Sequence, residues 1–432
     1  MKQNGRPKFQ YDASQQPPES PERVLLVGIQ WPGQLRELVL EYMDELDMLA
    51  QTSGADVVGR ELVGRRDKDP ALLIGKGKAA ELAELVEETR TELVIFDDDL
   101  SPAQARNLEN IFKCRVMDRT GLILDIFALR ARSREAKTQV ELAQLAYVLP
   151  RLTRAWTHLE RQQGGIGMRG PGETQIETDR RLIRDRMSVL KDDLAHIDRI
   201  RETQRSGREA MFRFALAGYT NVGKSTLMNA LTKAGVYEEN LLFATLDSTT
   251  RLLELAANER VLLTDTVGFI RKLPTSLVAS FRSTLAEIKD ADCIIHLVDL
   301  ASPAYQDQMH EVEKILAEMG LKDRTRLLIF NKVDALADDE PLRSARAAFP
   351  EALFISARQG VGVGDLVNRM HSVYAAQMVE LSLHVPYAEA ERMAELHRVA
   401  NVVGKIATET GLDLRVRMPL AEARRMGLAD SK

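Results

Sequence analysis

The sequence predicts a multidomain α/β protein in which a helical hairpin separates two α/β regions. Three observations support this fold class. Short apolar runs alternate with helical patterns near the N-terminus, two heptad-like stripes follow, and beyond them polar motifs stand at the ends of further apolar runs. Two or three compact units are expected for 432 residues, because a single core stops growing well below that length.

Composition argues against several classes of protein. The chain has 59 Lys and Arg against 64 Asp and Glu, so its overall charge does not indicate a general polyanion binder. Its two cysteines, Cys114 and Cys293, are far apart and lie among apolar residues, which argues against disulfides and thiolate metal sites. No apolar stretch approaches the roughly 18 residues of a membrane span. A protein of the reducing cytoplasm is expected.

Residues 24–118 predict a small α/β domain with a mainly parallel sheet. The preceding residues, 1–23, are polar and contain a proline pair, which predicts a disordered tail and not a signal peptide. Helical patterns over about 33–51 and 76–91 alternate with apolar runs, as βαβ units require. The predicted strands are Val24–Gly28, Val57–Val63, Leu93–Phe96 and Arg115–Met117.

Residues 119–206 predict an antiparallel helical hairpin. Two series of apolar residues repeat at alternating spacings of three and four, which is the pattern of packed helices. Pro150 lies inside the first series and should kink or break that helix. The first series is Leu142, Leu145, Leu149, Leu152, Trp156 and Leu159, and the second is Ile183, Met187, Leu190, Leu194 and Ile197.

The predicted tip of this hairpin, residues 161–173, has five glycines and one proline and is flanked by many arginines. The planar fork of arginine suits phosphate, and glycine lets the backbone approach a crowded surface closely. We therefore expect a narrow arm whose tip contacts RNA. From composition alone, a flexible connector explains the tip equally well. The expected RNA contacts are Gly164, Gly165, Arg169, Gly170 and Gly172.

A phosphate-binding loop is predicted directly after the apolar run Phe212–Ala217. The motif G-x-x-x-x-G-K-S lets backbone N–H groups surround the α- and β-phosphates, while Lys224 reaches the β- and γ-phosphates and Ser225 ligates Mg²⁺. The following helix points its N-terminus at the phosphates. The predicted loop residues are Gly218, Tyr219, Thr220, Asn221, Val222, Gly223, Lys224 and Ser225.

Three more motifs stand at strand ends in the order that a guanine-nucleotide site requires, which predicts a P-loop GTPase G domain over 207–376. The Asp265 carboxylate of the first of these motifs can hold Mg²⁺ through water, and the Gly268 N–H of the same motif can donate to the γ-phosphate. Asp334 can accept the N1–H and 2-amino protons of guanine, and adenine lacks both donors. Backbone donors of the last motif close the base pocket. The motifs are Asp265-Thr266-Val267-Gly268, Asn331-Lys332-Val333-Asp334 and Ser356-Ala357-Arg358.

A first switch is predicted between the phosphate loop and Asp265, where hydroxyl residues are flanked by apolar ones. In such switches, contacts with the γ-phosphate and Mg²⁺ order the loop, and hydrolysis of the nucleotide releases it. Thr245 is the expected second Mg²⁺ ligand, with Thr249 and Thr250 as competitors, and a threonine-rich edge strand is the structural alternative. The residues expected at the nucleotide are Phe243, Ala244, Thr245, Leu246 and Asp247.

Residues 377–432 predict a small C-terminal α/β domain whose role the sequence does not show. Val379–Val385 has the alternation of a strand, and the stretch over about 389–406 has a helical pattern.

Taken together, these residues resemble the HflX family of translational GTPases. The resemblance covers nearly the whole chain after the tail and is most specific at the glycine-rich tip, residues 164–175, beside the switch at 243–247 and the motif at 265–269. It implies a cytoplasmic GTPase that binds the large ribosomal subunit and splits stalled or idle ribosomes during stress. It also implies that the tip enters the peptidyl-transferase region and that Ser225 and Thr245 are the metal hydroxyls.

One feature of the motifs predicts slow hydrolysis by the protein alone. Phe269 occupies the position where a glutamine often orients the attacking water, and phenylalanine cannot form that hydrogen bond. A partner must then complete the site around Lys224, Thr245 and Gly268. Asn221 could coordinate a K⁺ ion that adds positive charge near the phosphates, or it could simply stabilise the backbone of the loop. The sequence supports these two interpretations equally.

We expect a molecular switch that alternates between GTP-bound and GDP-bound states, uses Mg²⁺ as its cofactor, and acts on the large ribosomal subunit and its RNA. Nothing in the sequence requires a dimer, so a monomer is expected. Two other classes remain open: a ribosome-assembly or RNA-binding factor whose G domain reports nucleotide state, and an ATP-dependent RNA remodeller.

Overall fold

A computed structural model of the chain describes residues 21–152, 171–205, 211–232, 242–243, 246–256, 259–272 and 287–428. The chain divides into two compact units. The first comprises 1–194 with 241–244 and 272–281, and the second comprises the remainder. Most of the expected tail, the arm tip before Pro171, and the switch residues Ala244 and Thr245 lie outside the described residues.

The first unit contains a four-stranded sheet whose strands are all parallel, in the order β2-β1-β3-β4. β3 is buried throughout, which explains its continuous apolar run. The chain moves from β1 to one neighbour and returns to the other, so a crevice is expected at the carboxyl ends of β1 and β3. The strands are β1 (Arg23–Gln30), β2 (Asp56–Gly64), β3 (Leu93–Phe96) and β4 (Arg115–Asp118).

The helices of this unit follow the predicted alternation. α3 begins at a capping box in which Ser101 and Gln104 satisfy each other's backbone N–H groups, with Pro102 at the first helical position. Leu25, Val94 and Phe96 lie in the core that these layers enclose. The helices are α1 (Arg36–Thr52), α2 (Lys76–Glu88), α3 (Pro102–Phe112), α4 (Arg119–Arg130) and α5 (Arg134–Val148).

Pro150 breaks the first helix of the predicted hairpin, as expected. α5 ends at Val148, and the proline lies in a short 3₁₀ turn, Leu149–Arg151. The second helix, α6 (Pro171–Arg205), is 35 residues long. Its predicted apolar stripe is its least exposed face, with Leu190 buried. Arg186 forms two hydrogen bonds to the Glu141 carboxylate of α5, at 2.7 and 2.8 Å.

The second unit contains a six-stranded sheet in the order β10-β9-β8-β5-β7-β6, in which only β6 is antiparallel. The strands are β5 (Arg213–Gly218), β6 (Thr249–Ala256), β7 (Glu259–Asp265), β8 (Cys293–Asp299), β9 (Arg326–Asn331) and β10 (Leu353–Phe354). Its helices are α7 (Lys224–Thr232), α8 (Tyr305–Glu318), α9 (Glu340–Ala348) and α10 (Val363–Ala376).

The same unit ends in a three-stranded antiparallel sheet, β11-β13-β12, with its own apolar core. The helix expected over 389–406 is wrong in its second half, because α11 ends at Val399 and a strand follows. That strand contains the β-branched residues Val402, Val403 and Ile406 and pairs with β13. The elements are β11 (Met378–Pro386), α11 (Ala390–Val399), β12 (Asn401–Ala407), β13 (Gly411–Pro419) and α12 (Leu420–Arg425).

In the described ranges, none of the helices combines the length and apolar character needed to span a membrane.

Candidate nucleotide-binding site

The loops after β5, β9 and β10 meet at the carboxyl edge of the six-stranded sheet, where parallel α/β sheets bind ligands. Asn331, which is 2% exposed, joins them. Its Nδ2 donates to Val222 O at 2.8 Å, and its Oδ1 accepts from Ala357 N–H at 2.9 Å. One amide side chain therefore ties three of the four predicted motifs together.

The phosphate loop has a backbone that few side chains could accept. Asn221 and Gly223 adopt φ of 61° and 92°, so the chain turns back and exposes successive N–H groups. A Cβ on Gly218 would lie 2.3 Å from Leu297 O, and one on Gly223 would lie 2.5 Å from Asn331 Nδ2. Both glycines are required by space, and the loop leads directly into α7 at Lys224.

Lys224 is 7% exposed, and its ammonium group lies under the loop. Nζ donates to Tyr219 O at 2.7 Å and to Gly218 O at 3.2 Å. Burial lowers the pKa of Lys224 to about 8, while the Asp265 carboxylate opposes this change. The loop carbonyls thus orient a lysine that an incoming anion would hold in its charged form.

Asp265 and Gly268 approach the loop from the end of β7. The Ser225 hydroxyl donates to Asp265 Oδ2 at 2.7 Å. A Cβ on Gly268 would lie 2.8 Å from Thr220 Cα and 3.0 Å from Lys224 Nζ. The backbone at Gly268 therefore lies beside the lysine, as a donor to the γ-phosphate would.

Phe269 extends this contact through its backbone while its side chain is 1% exposed. Its N–H donates to Gly218 O at 3.0 Å, and its carbonyl accepts from Thr220 N–H at 2.7 Å. The Thr266 hydroxyl, two positions before Gly268, donates to Leu216 O at 2.6 Å. The segment is thus fastened to β5 and the loop, and the buried phenyl ring offers no polar group to a substrate.

The predicted guanine motif presents its carboxylate outward. Asp334 is exposed in a short 3₁₀ turn, Val333–Ala335, directly after the buried Asn331. Lys332 adopts φ of 64°, and its Nζ lies 2.7 Å from Asp299 Oδ2. Ser356 is fully buried and its Oγ accepts from Gln359 N–H at 3.1 Å, whereas Arg358 is exposed.

The first switch is described only in part. Phe243, 2% exposed, packs edge-to-face on Phe127 of α4 with ring centroids 4.6 Å apart, and both belong to the first unit. Leu246 is buried and Asp247 half-buried. The competitors for Thr245 lie in a strand: Thr249 and Thr250 begin β6, and the Thr250 hydroxyl lies 2.9 Å from that of Thr264.

The chain matches three protein-family models that follow one another along it. Residues 40–128 match a model described as GTP-binding GTPase N-terminal, and 130–208 match the GTP-binding GTPase middle region. Residues 213–332 match a model described as 50S ribosome-binding GTPase.

Curated relatives are similar to the chain over most of its length. GTPase HflX of Escherichia coli (strain K12) is 42% identical over 391 residues, which are 90% of this chain and 92% of that protein. The chain belongs to the HflX family of GTPases. GTPase HflX of Flavobacterium psychrophilum is 51% identical over 314 residues, 73% of this chain and 76% of that protein. A solved structure, SsGBP in complex with GDP, covers 82% of this chain and 98% of its own at 23% identity, with a TM-score of 0.47.

As an HflX protein, the chain is a GTPase with a nucleotide-binding α/β domain. Such GTPases generally use Mg²⁺. The donor set fits that ion, because Ser225 Oγ and Asp265 Oδ2 are adjacent hard oxygens and Mg²⁺ prefers few protein oxygens with water and phosphate completing its shell. Among the described residues, no three His, Cys, Asp or Glu side chains gather as a separate metal site.

Two contacts of this HflX protein lie beyond what the motifs predict. The Tyr219 hydroxyl accepts from Arg271 N–H at 2.7 Å, although the motif assigns Tyr219 only a backbone role. Lys272, which belongs to the first unit, forms ion pairs with Asp97 and Asp98 of the same unit. Tyr219 contacts a backbone group 52 residues away, and Lys272 contacts side chains more than 170 residues away. No local sequence pattern could therefore predict either contact.

Proposed function

We propose that this HflX GTPase binds the large ribosomal subunit, hydrolyses GTP on it, and so dissociates or rescues stalled or idle ribosomes under stress. The observation that carries the proposal is the match of residues 213–332 to the 50S ribosome-binding GTPase model. It would act in the cytoplasm as a monomer, and the hydrolysis of GTP would release it from the subunit.

Different residues of the site would bind different parts of the nucleotide. The loop from Gly218 to Ser225 would hold the phosphates, Lys224 and Gly268 would meet the γ-phosphate, and Asp334 would select guanine. Ser225 and Thr245 would ligate Mg²⁺, which when bound neutralises charge on the β- and γ-phosphates. The closeness of the Gly268 backbone to Lys224, where an added Cβ would lie 3.0 Å from Nζ, and the hydrogen bond from Ser225 to Asp265 support these assignments.

The glycine-rich tip, with Gly164, Gly165, Arg169, Gly170 and Gly172, would contact ribosomal RNA. Support comes from the helix that follows it, because Arg181 and Arg184 are exposed there on a helix of 35 residues. Such a helix is about 50 Å long, at about 1.5 Å per residue, and its first residue, Pro171, lies within the glycine-rich tip.

The proposal is tested by measuring GTP turnover with and without purified large ribosomal subunits, in K⁺ and in Na⁺ buffer. We expect slow turnover alone, because the buried Phe269 cannot orient water, and strong stimulation by the subunits. A K⁺ requirement would assign Asn221 a catalytic role. Turnover that the subunits leave unchanged would contradict the proposal and favour an RNA-binding or assembly factor.

Replacing residues 169–172 with four serines should weaken subunit binding. Loss of a charge-assisted contact, about 1.5–3 kcal/mol, predicts affinity lower by about tenfold or more. Wild-type affinity should also fall as salt rises. Arg343→Ser, an exposed arginine on α9, is the control for charge loss elsewhere. Equal affinity of the serine variant and the wild type, in co-sedimentation with subunits, would rule out the RNA role of the tip.

GTP affinity should fall as pH rises from 7.5 to 8.5. The pKa of Lys224 is lowered to about 8, so the charged form declines across this interval and affinity should drop about threefold. Guanine itself titrates above this range. Fluorescent-nucleotide titration checks the expectation. Lys224→Arg, whose charge persists, should bind with no such pH dependence, and a flat wild-type profile would show that Lys224 stays charged.

A further inference from the structure

The phosphate-binding motif places no requirement on the side chain of Tyr219, because any residue can stand at that position. Tyr219 is nevertheless only 4% exposed. Its hydroxyl oxygen accepts a hydrogen bond from the Arg271 N–H at 2.7 Å. Both residues belong to the second unit, so the contact lies within one compact unit. A buried side chain of the phosphate loop therefore reaches the chain three residues beyond Gly268.

Two backbone hydrogen bonds join the phosphate loop to the same segment. The Phe269 N–H donates to Gly218 O at 3.0 Å, and the Thr220 N–H donates to Phe269 O at 2.7 Å. Tyr219 and Phe269 thereby form an isolated parallel bridge. Both bonds are made by Phe269, and neither depends on a side chain. The Tyr219 hydroxyl extends the attachment of the segment by two residues, to Arg271.

The backbone of Tyr219 also contacts Lys224. The Tyr219 carbonyl accepts from Lys224 Nζ at 2.7 Å, and a Cβ on Gly268 would lie 3.0 Å from the same Nζ. Tyr219 thus contacts the lysine through its carbonyl and the segment after Gly268 through its hydroxyl. The two groups that would act on the γ-phosphate are held by one residue, and donors of this kind lose effect when they are displaced.

We propose that Tyr219 is a positioning residue for GTP hydrolysis, and that its hydroxyl holds the segment 268–271 beside Lys224. This inference rests on the proposed contact of the Gly268 N–H with the γ-phosphate. GDP lacks that phosphate, so GDP binding does not need the segment, whereas the transition state of hydrolysis does. The hydroxyl therefore contributes to the rate of hydrolysis and not to the affinity for GDP.

Tyr219→Phe removes the hydroxyl and keeps the ring, so the buried side chain retains its packing. We expect kcat for GTP to fall about tenfold, because loss of the hydrogen bond displaces a preorganised donor. KM and GDP affinity should change by less than about twofold. An unchanged kcat would overturn the proposal. Equal losses of kcat and GDP affinity would also overturn it, because they would show that the hydroxyl supports the phosphate loop as a whole.

Tyr387→Phe is the matched control for this substitution. Tyr387 is 59% exposed, and its hydroxyl donates to Thr408 O at 3.1 Å in the C-terminal part of the same unit. The control therefore removes one tyrosine hydroxyl and one hydrogen bond away from the phosphate loop, and it should leave kcat unchanged. An equal loss of kcat in the control would show that the effect is not specific to Tyr219 and would refute the proposal.

Amide hydrogen exchange tests the contact itself without measuring activity. With a non-hydrolysable GTP analogue bound, the Arg271 amide of Tyr219→Phe should exchange about five- to tenfold faster than that of the wild type, because its acceptor is gone. Exchange at the wild-type rate would contradict the proposal even if kcat fell.

Both measurements use the protein alone, so they do not depend on its proposed action at the ribosome. Loss of hydrolysis by Gly268→Ala together with a wild-type rate for Tyr219→Phe would overturn the role of Tyr219 and leave that of Gly268 standing.

Discussion

Asp334→Asn is expected to move the nucleotide preference of the protein from GTP to xanthosine triphosphate. The wild-type carboxylate can accept two protons from guanine, at N1 and at the 2-amino group. Asparagine keeps an acceptor for N1–H but turns an N–H₂ group toward the 2-amino donor. Xanthine carries an oxygen at that position, which asparagine can donate to, so the hydrogen-bond pattern matches again.

The expected size of this change is large. Each hydrogen bond to a charged group contributes about 1.5–3 kcal/mol, and a mismatched donor adds a desolvation cost, so GTP affinity should fall about a hundredfold or more. The exposed position of Asp334 beside the buried Asn331 means that the change should spare the fold. Binding and turnover of both nucleotides measure the switch.

Asp339→Asn provides the matched control, because Asp339 is an exposed acid in the same loop and makes no side-chain capping bond. It should retain the preference for GTP. If Asp334→Asn retained that preference as well, the base would have to be recognised by other groups, and the assignment of Asn331–Asp334 as the guanine motif would be wrong.

Gly268→Ala should abolish most GTP hydrolysis while affecting GDP binding much less. The added methyl group would lie 2.8 Å from Thr220 Cα and 3.0 Å from Lys224 Nζ, so the segment must move away from the phosphate loop. Removal of one preorganised donor to developing charge typically costs about a hundredfold or more in rate. Single-turnover GTP hydrolysis measures the effect, and equilibrium binding of GDP shows whether the loop survives.

Gly364→Ala is the control for this substitution. Gly364 lies in α10, and a Cβ there would meet nothing within 4 Å, so the change should leave activity unchanged and stabilise the helix slightly. Full hydrolysis by Gly268→Ala would mean that its N–H does not serve the γ-phosphate.

The local patterns determined most of the second unit. An apolar run followed by glycines and a lysine predicted a strand, a turn and a helix, because glycine readily adopts the positive φ that Gly223 shows. The parallel sheet followed from buried strands with polar motifs at their carboxyl ends. The family follows from the same motifs, together with the matches along the chain.

Periodicity was less decisive where two structures share one pattern. The stretch after Val399 has apolar spacings that suit a helix, yet it forms β12 because β13 offers it an edge to pair with. At Pro150 the local sequence is decisive. Proline has no backbone N–H to donate within a helix, so α5 ends at Val148.

The sequence by itself predicted the strand, turn and helix of the phosphate loop and most of the alternating strands and helices, because each of these depends on neighbouring residues or on the period of one element. Only the tertiary structure decided what Asn331, Tyr219 and Lys272 contact. Their partners are 26 to 175 residues away along the chain, so each contact exists only once its own unit has folded.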